Sequence, residues 1–297
     1  MKISVIIPSY NSADTISHTL NALLSQKDSN SFEIIIVDSS DDGITDTIIR
    51  KYLSKKVRLI KSGVKVMPAK QRNIGAADAK GDLLVFLDSD VIPCVNFLTQ
   101  ITEAYSSGCV AGCGSFSLAP FQENNKIALA QYYLQLNEYL PSGKPRTKAF
   151  PAGASVFCSK ELFLQTGGYP EVRAAEDVLF GFEINKITEL LFLPSAVSAH
   201  IFRINLRGFY INQRLLGRHA ALYRRGMHKM FKLTPTLMYI LYPLIISIKL
   251  YRILPRIVVA GRTYFNSLIR VFPYFFVGMH HWTMGFISGS TEKIICE

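Results

Sequence analysis

Asp88-Ser89-Asp90 closes the most apolar short run of the chain, Leu83–Leu87. Two carboxylates one residue apart at a strand end can converge on one hard divalent cation, which takes oxygen ligands and keeps positions open for phosphate oxygens. Asp and Ser also form ordinary solvated turns, so the trio alone leaves both readings open. A second acidic pair, Glu176-Asp177, opens a helix. Acids in a first helical turn are favoured by the helix dipole alone, and a carboxylate so placed can equally serve as a general base. There is no Gly-rich loop ending in Gly-Lys-Ser/Thr, and no Gly-x-Gly-x-x-Gly follows the first apolar run. The phosphates of a bound nucleotide would therefore be neutralised by a metal and basic side chains.

The elements that must position these acids alternate. Ile3–Pro8, Phe32–Val37, Val57–Ile60 and Leu83–Leu87 are short apolar runs without polar alternation, as in strands buried on both faces. Helices are predicted from Ser12 or Asp14 onward, over Thr45–Leu53 and over Ala69–Ala79. A β-α-β-α-β order implies a parallel sheet with right-handed crossovers, which binds ligands at the carboxyl ends of its strands. Pro8-Ser9-Tyr10-Asn11, Asp38-Ser39-Ser40 and Asp88-Ser89-Asp90 stand at those ends. Further on come a strand over Cys109–Ser117, a helix over Ile127–Tyr139 and an apolar run from Gly153 to Cys158.

The 297 residues, 49% of them hydrophobic, suffice for one large or two modest domains and exclude a disordered chain. Five cysteines make no disulfide framework, and Cys109 and Cys113 lack the second pair a zinc site needs. Reduced thiols and a cytosolic catalytic part are expected, since Met1-Lys2 runs straight into Ile3–Pro8 with no room for a secretory core. The formal charge of +11 is not uniform: residues 1–189 carry 19 Lys/Arg and 20 Asp/Glu, whereas 13 Lys/Arg and no acid lie between Glu189 and Glu292. The same stretch holds the apolar runs Pro235–Tyr251 and Val271–Ile287. An anionic membrane surface attracts that combination, whereas nucleic-acid binding explains the charge but not the apolar runs. Pro235–Ile248 is 14 residues long and contains Pro243, and Phe272–Gly289 contains Pro273, His280 and His281. A spanning helix needs about 20 apolar residues. A hairpin would also carry Lys249, Arg252, Arg256, Arg262 and Arg270 across the bilayer, against the positive-inside bias. Interfacial or re-entrant helices are expected, with a spanning hairpin and a packed helical subdomain as the alternatives.

Ile3–Asn11 (ISVIIPSYN), Glu33–Asp38 (EIIIVD), Gln71–Gly75 (QRNIG) with Gly81, Phe86–Asp90 (FLDSD), and Gly167-Gly168-Tyr169-Pro170-Glu171 before Glu176-Asp177 follow one another in the order and spacing of the family 2 glycosyltransferases. The chain resembles that family over about residues 1–220. The resemblance implies a GT-A fold, a nucleotide-sugar donor and a divalent cation, Mg²⁺ or Mn²⁺. It implies that Pro8, Tyr10 and Asp38 hold the base and ribose, that Arg72 borders the nucleotide pocket, that Asp88 and Asp90 serve ribose and metal, and that Asp177 is the catalytic base. His200 falls where related enzymes place a histidine on the metal or diphosphate; a structural histidine is the equal alternative. Glu176, Gly153 and Arg218 are candidates toward the acceptor or diphosphate. After Asp38 the family's compact acidic pattern is replaced by Ser39-Ser40-Asp41-Asp42-Gly43, so Asp41, Asp42 and Asp46 all remain open. The Gln-x-x-Arg-Trp motif of processive members is absent, Trp282 being the single tryptophan. Transfer of one sugar is expected rather than polymerisation.

The expected architecture is α/β: a GT-A-type, Rossmann-like, mostly parallel sheet flanked by helices, followed by a hydrophobic helical membrane-associated region. A catalytic domain is expected over 1–220, with a nucleotide-sugar half to about 117 and an acceptor half beyond it, and a membrane tail over 221–297. One base opposite the leaving group predicts inversion. The expected partners are a nucleoside-diphosphate sugar, a glycan or lipid-linked acceptor and membrane lipids, at the cytoplasmic face of a membrane, with no nucleic acid. A nucleotidyltransferase on a similar sheet, releasing pyrophosphate, is the second enzyme reading. A catalytically silent membrane-binding scaffold is the non-enzyme reading, but it has no need of Asp38, Asp88, Asp90 and Asp177 together.

Overall fold

Unbroken apolar runs and the helices between them become β1 (Ile3–Ser9), α1 (Ile16–Leu24), β2 (Phe32–Asp38), α2 (Ile44–Arg50), β3 (Val57–Lys61), α3 (Pro68–Asp78) and β4 (Leu83–Leu87) in a computed structural model describing residues 1–27, 32–172, 175–228 and 234–292. Every residue of β1, β2 and β4 is buried, which is why these runs show no polar alternation. β1 pairs in parallel with β2 on one side and β4 on the other, and β2 with β3. Strand order thus reverses at β1, and its register sets Ser9 beside Asp38. Such a switch point opens a crevice at the carboxyl ends of the strands.

The chain continues through β5 (Val91–Pro93), α4 (Phe97–Ser106), β6 (Ala111–Leu118), α5 (Lys126–Leu136), β7 (Arg146–Thr147), β8 (Ser155–Ser159), α6 (Lys160–Gln165), α7 (Glu176–Asn185) and β9 (Leu191–His200). The sheet runs β3-β2-β1-β4-β8-β6-β9-β5, with β7 on β9. β8 is antiparallel to β4 and to β6, and β5 and β7 are antiparallel to β9. The sheet is therefore mixed where a mostly parallel one was expected. A strand's own residues report burial; its direction is set by the route of the connection that delivers it.

Two compact units form, Met1–Ser117 with Pro141–Ile201, and Leu118–Leu140 with Phe202–Glu297. They are not consecutive in sequence, and residue 220, to which the family resemblance extends, lies within α8 (Leu206–His228). The first unit holds the sheet. The second is helical: α5 and α8 with α9 (Pro235–Ile240), α10 (Tyr242–Ala260) and α11 (Arg262–Thr291). Pro243 lies in the first turn of α10, where its missing N–H is no loss. α11 packs along α8 and α5. A side chain at Gly217 or Gly285 would collide with the facing backbone of Trp282 or Arg214, so these glycines permit the close approach of α8 and α11. Among the described residues no helix is long and apolar enough to cross a membrane. Leu244, Ile248 and Tyr251 on α10, and Phe265, Ile269, Phe272 and Phe276 on α11, are nevertheless exposed at helical spacing.

Candidate active site

Three consecutive side chains of α3 each fasten a different part of the crevice. Gln71 donates from Nε2 to the carbonyls of Ser9 (2.7 Å) and Val37 (2.8 Å), tying the ends of β1 and β2. Asn73 accepts from the Tyr169 amide at 2.9 Å and donates to its carbonyl at 2.8 Å, fixing the turn whose Gly167 and Gly168 are left-handed. Arg72 lies between them. A helix turns about 100° per residue, so adjacent side chains reach in different directions.

Arg72 is buried and bridges two acids: Nη2 donates to Asp88 Oδ1 at 2.7 Å and Nη1 to Glu176 Oε1 at 3.1 Å. Its guanidinium carbon lies 5.2 Å from the centroid of the Tyr169 ring. Burial works against its charge, but Asp88, Tyr169 and Glu176 outweigh it and raise its proton affinity above the ordinary arginine value. Burial also raises the pKa of Asp88, with Asp90 adding to the rise and Arg72 opposing it. The planar fork of arginine suits a two-carboxylate bridge that a lysine could not span.

Asp177 is the second residue of α7, two after Ala175, which adopts φ 64, a left-handed conformation that costs a non-glycine residue on the order of 1 kcal/mol. Its carboxylate accepts the amide of Gly153 at 3.1 Å on Oδ2 and that of Val178 at 2.9 Å on Oδ1. Burial and the neighbouring Glu176 push its pKa up to about 6, against the opposing pull of Arg72 and the two amides. A carboxylate poised near neutrality in a crevice has the properties of a general base.

Asp90 and His200 meet across the β5–β9 pairing: Val91 is in register with His200, and His200 Nε2 lies 3.8 Å from Asp90 Oδ1. His200 Nδ1 is 3.0 Å from the carbonyl of Ile201. A carbonyl can only accept, so this contact assigns the proton to Nδ1 in the neutral ring and the lone pair to Nε2. A carboxylate oxygen and an imidazole lone pair are donors that Mn²⁺ or Mg²⁺ can use, with the remaining positions open to phosphate oxygens. Asp88 is instead engaged with Arg72, and among the described residues no three His, Cys, Asp or Glu side chains cluster as a ligand cage.

The base-side candidates gather at the ends of β1 and β2. Pro8 is buried within β1. Tyr10 is partly exposed, its hydroxyl donating to Asp41 at 3.2 Å and its ring under the Lys65 ammonium at 4.0 Å. Asp38 is fully buried and held by the Ser9 and Ser40 hydroxyls and by Lys61 Nζ at 2.6 Å. Of the three acids left open after it, Asp42 accepts the Ile44 and Thr45 amides at the start of α2, and Asp46 pairs with Arg50 and Lys61. Asp41 alone of the three engages Tyr10 and Asn11. Arg218 belongs to the helical unit, where it pairs with Glu292 at 2.8 Å. Gln71, Asn73 and Tyr169 stand in motifs that carry the family resemblance but were given no role of their own from the sequence, and Lys61 was not singled out.

A sheet with a 3-2-1-4 parallel half, acids along its carboxyl edge and a half-buried carboxylate at a helix start defines an α/β fold of the ligand-binding, switch-point kind. The Glycosyl transferase family 2 profile matches residues 4–165, more than half of the chain, which belongs to that family. Poly(ribitol-phosphate) beta-N-acetylglucosaminyltransferase TarS of Staphylococcus aureus is 37% identical over 94 residues, 30% of this chain and 16% of TarS. The Escherichia coli UDP-Glc:alpha-D-GlcNAc-diphosphoundecaprenol beta-1,3-glucosyltransferase WfaP is 41% identical over 88 residues, 30% of this chain and 35% of WfaP. The chain thus spans only a minor part of these relatives. In fold it is similar to the mannosyltransferase PcManGT of Pyrobaculum calidifontis, solved with GDP-Man and Mn²⁺, at a TM-score of 0.62 and 17% identity over 97% of this chain and 86% of that one.

Proposed function

We propose that the chain transfers one sugar from a nucleoside-diphosphate sugar to an acceptor hydroxyl, with inversion at the anomeric carbon. The observation that carries this reading is Asp177, a half-buried carboxylate held on two backbone amides with its pKa raised to about 6. Asp177 takes the proton of the acceptor hydroxyl as its oxygen bonds to the anomeric carbon. The bond from that carbon to the diphosphate oxygen breaks on the opposite face, and the nucleoside diphosphate departs with the electron pair. Arg72 fixes Asp88 and Glu176 in place beside Asp177. Tyr10, Pro8 and Asp38 border the base and ribose. Asp90 and His200 would hold a divalent cation, whose chemistry when bound is to offset charge on the departing diphosphate.

The names of TarS and WfaP, and the ligands of PcManGT, support a nucleotide-sugar donor, a glycan or lipid-linked acceptor and Mn²⁺ or Mg²⁺. The acid-free basic stretch and the exposed apolar stripes of α10 and α11 support association of the helical unit with an anionic membrane, at its cytoplasmic face.

The test is a panel of nucleotide sugars with Mn²⁺ and purified protein, scored for the released product. Nucleoside diphosphate supports glycosyl transfer; pyrophosphate supports the nucleotidyltransferase reading instead. Serial extraction of membranes with salt, alkaline carbonate and detergent tests the association, which fails if the protein is soluble without any of them.

A further inference from the structure

Lys249 of α10 has its ammonium 3.5 Å from the ring centroid of Trp282 on α11. Arg224 of α8 lies 5.3 Å over Phe286. Trp282 and Phe286 are themselves stacked, centroids 5.3 Å apart at 14°. Arg252 follows Lys249 by one helical turn on α10. Two cations thus stand over one aromatic pair, with Arg252 near them on α10. Burial, then Arg224 and Arg252, drive the Lys249 amine well below its ordinary pKa, and burial and Arg252 lower that of Arg224. Among the described residues neither Lys249 nor Arg224 is paired with an acid, and Glu138, just beyond the end of α5, takes Arg256 at 2.9 Å with Arg252 at 4.0 Å. Cation–π contact offsets only part of what drawing an ammonium without an acid partner out of water costs. An anion would supply the missing partner, and the long apolar side chains Leu244, Ile248 and Tyr251 lie exposed on the same helix.

We propose that Arg224, Lys249 and Arg252 form a binding position for one phosphate group, occupied by the headgroup of an anionic membrane lipid. This rests on the membrane association proposed above and adds to it one defined headgroup position on the helical unit. Three donors converge on the phosphate oxygens, the Trp282–Phe286 pair backs them, and the α10 stripe lies against the acyl chains. A merely attractive basic surface would use exposed, mutually distant charges, whereas here a half-buried lysine and an arginine stand over two rings that are stacked on each other.

The experiment uses the full chain and measures the acylation rate of Lys249 by mass spectrometry, with exposed Lys51 as internal reference. Phosphatidylglycerol-containing vesicles are expected to slow Lys249 by about fivefold relative to phosphatidylcholine vesicles, the effect of about 1 kcal/mol. Lys249→Met, which still packs on Trp282, is expected to weaken flotation with phosphatidylglycerol vesicles by about the same factor. Arg262→Gln, removing an exposed charge from α11, is expected to change it less than about twofold. Equal losses in the two variants would mean diffuse attraction and overturn the proposal while leaving membrane association standing. If no vesicle recruits the protein, the membrane reading fails, and inorganic phosphate decides the position. Protection by it alone supports a phosphate site and overturns the lipid as occupant; no protection by phosphate or vesicles overturns the site.

Discussion

The Gly153 amide donates to Asp177 Oδ2 at 3.1 Å, and a Cβ on that same glycine would stand 3.0 Å from the same oxygen and from the Cβ of Asp177. The amide can reach the carboxylate because the side chain is absent. Gly153→Ala is expected to push the carboxylate aside by a few tenths of an ångström. Since a misplacement of about 1 Å can cost about 10²-fold in rate, the expected loss in kcat is about tenfold, with little change in Tm. Steady-state kinetics and thermal melting of the variant check both.

Asp177 must be ionised to take a proton. With its pKa raised to about 6, kcat is expected to climb with pH through that value and level off above it. Asp177→Asn is expected to lower kcat by about 10²–10⁴-fold with donor affinity nearly unchanged, and to abolish the acid limb. A pH–rate profile and donor titration of the two proteins provide the measurement; a preserved kcat with lost donor affinity would make Asp177 a binding residue.

The same shift has a stability cost of definite sign. The folded carboxyl holds its proton to about pH 6, whereas the unfolded one releases it near 3.8. Between those values the folded state binds more protons, so this group's contribution falls as pH rises and its penalty is complete above 6. Removing the charge is therefore expected to stabilise the protein at pH 8, by up to about 3 kcal/mol, with the gain vanishing near pH 4. Denaturant melts of Asp177→Asn at the two pH values check it.

Arg72 is buried with two carboxylates on its fork. Arg72→Lys keeps the charge but serves only one of them in good geometry, leaving Asp88 or Glu176 uncompensated. A loss of about 3–5 kcal/mol in stability is expected, as for breaking a buried pair. Urea unfolding measures it, and unchanged stability would make the bridge incidental.

Asp90 is 39% exposed and meets His200 only at 3.8 Å. Asp90→Asn is accordingly expected to change stability by less than about 0.5 kcal/mol. It is expected to weaken Mn²⁺-dependent binding of a nucleoside diphosphate by at least about tenfold. Calorimetric titration with and without Mn²⁺ separates the metal role from a direct contact, for which the loss would persist without metal.

The residues of the sequence determined the parallel half of the sheet and the acids at its edge. Burial on both faces leaves an unbroken apolar run, and a strand's end is marked where Asp38 or Asp88 interrupts it. Such signals are local and survive without the fold. The placement of α7 after a GG-aromatic turn was legible for the same reason, and the break at Pro243 was legible from proline chemistry. Tertiary structure alone decided what each acid faces. It turned Asp88 to Arg72 and left Asp90 with His200, 110 positions apart in the numbering and joined by an antiparallel pairing that neither segment encodes by itself. It made Gln71 and Asn73 the fasteners of two loops, and it brought Lys249 and Arg224 onto the stacked rings of Trp282 and Phe286. A side chain's partner depends on where a distant segment arrives, and that is set by packing the whole sheet and helix layer at once.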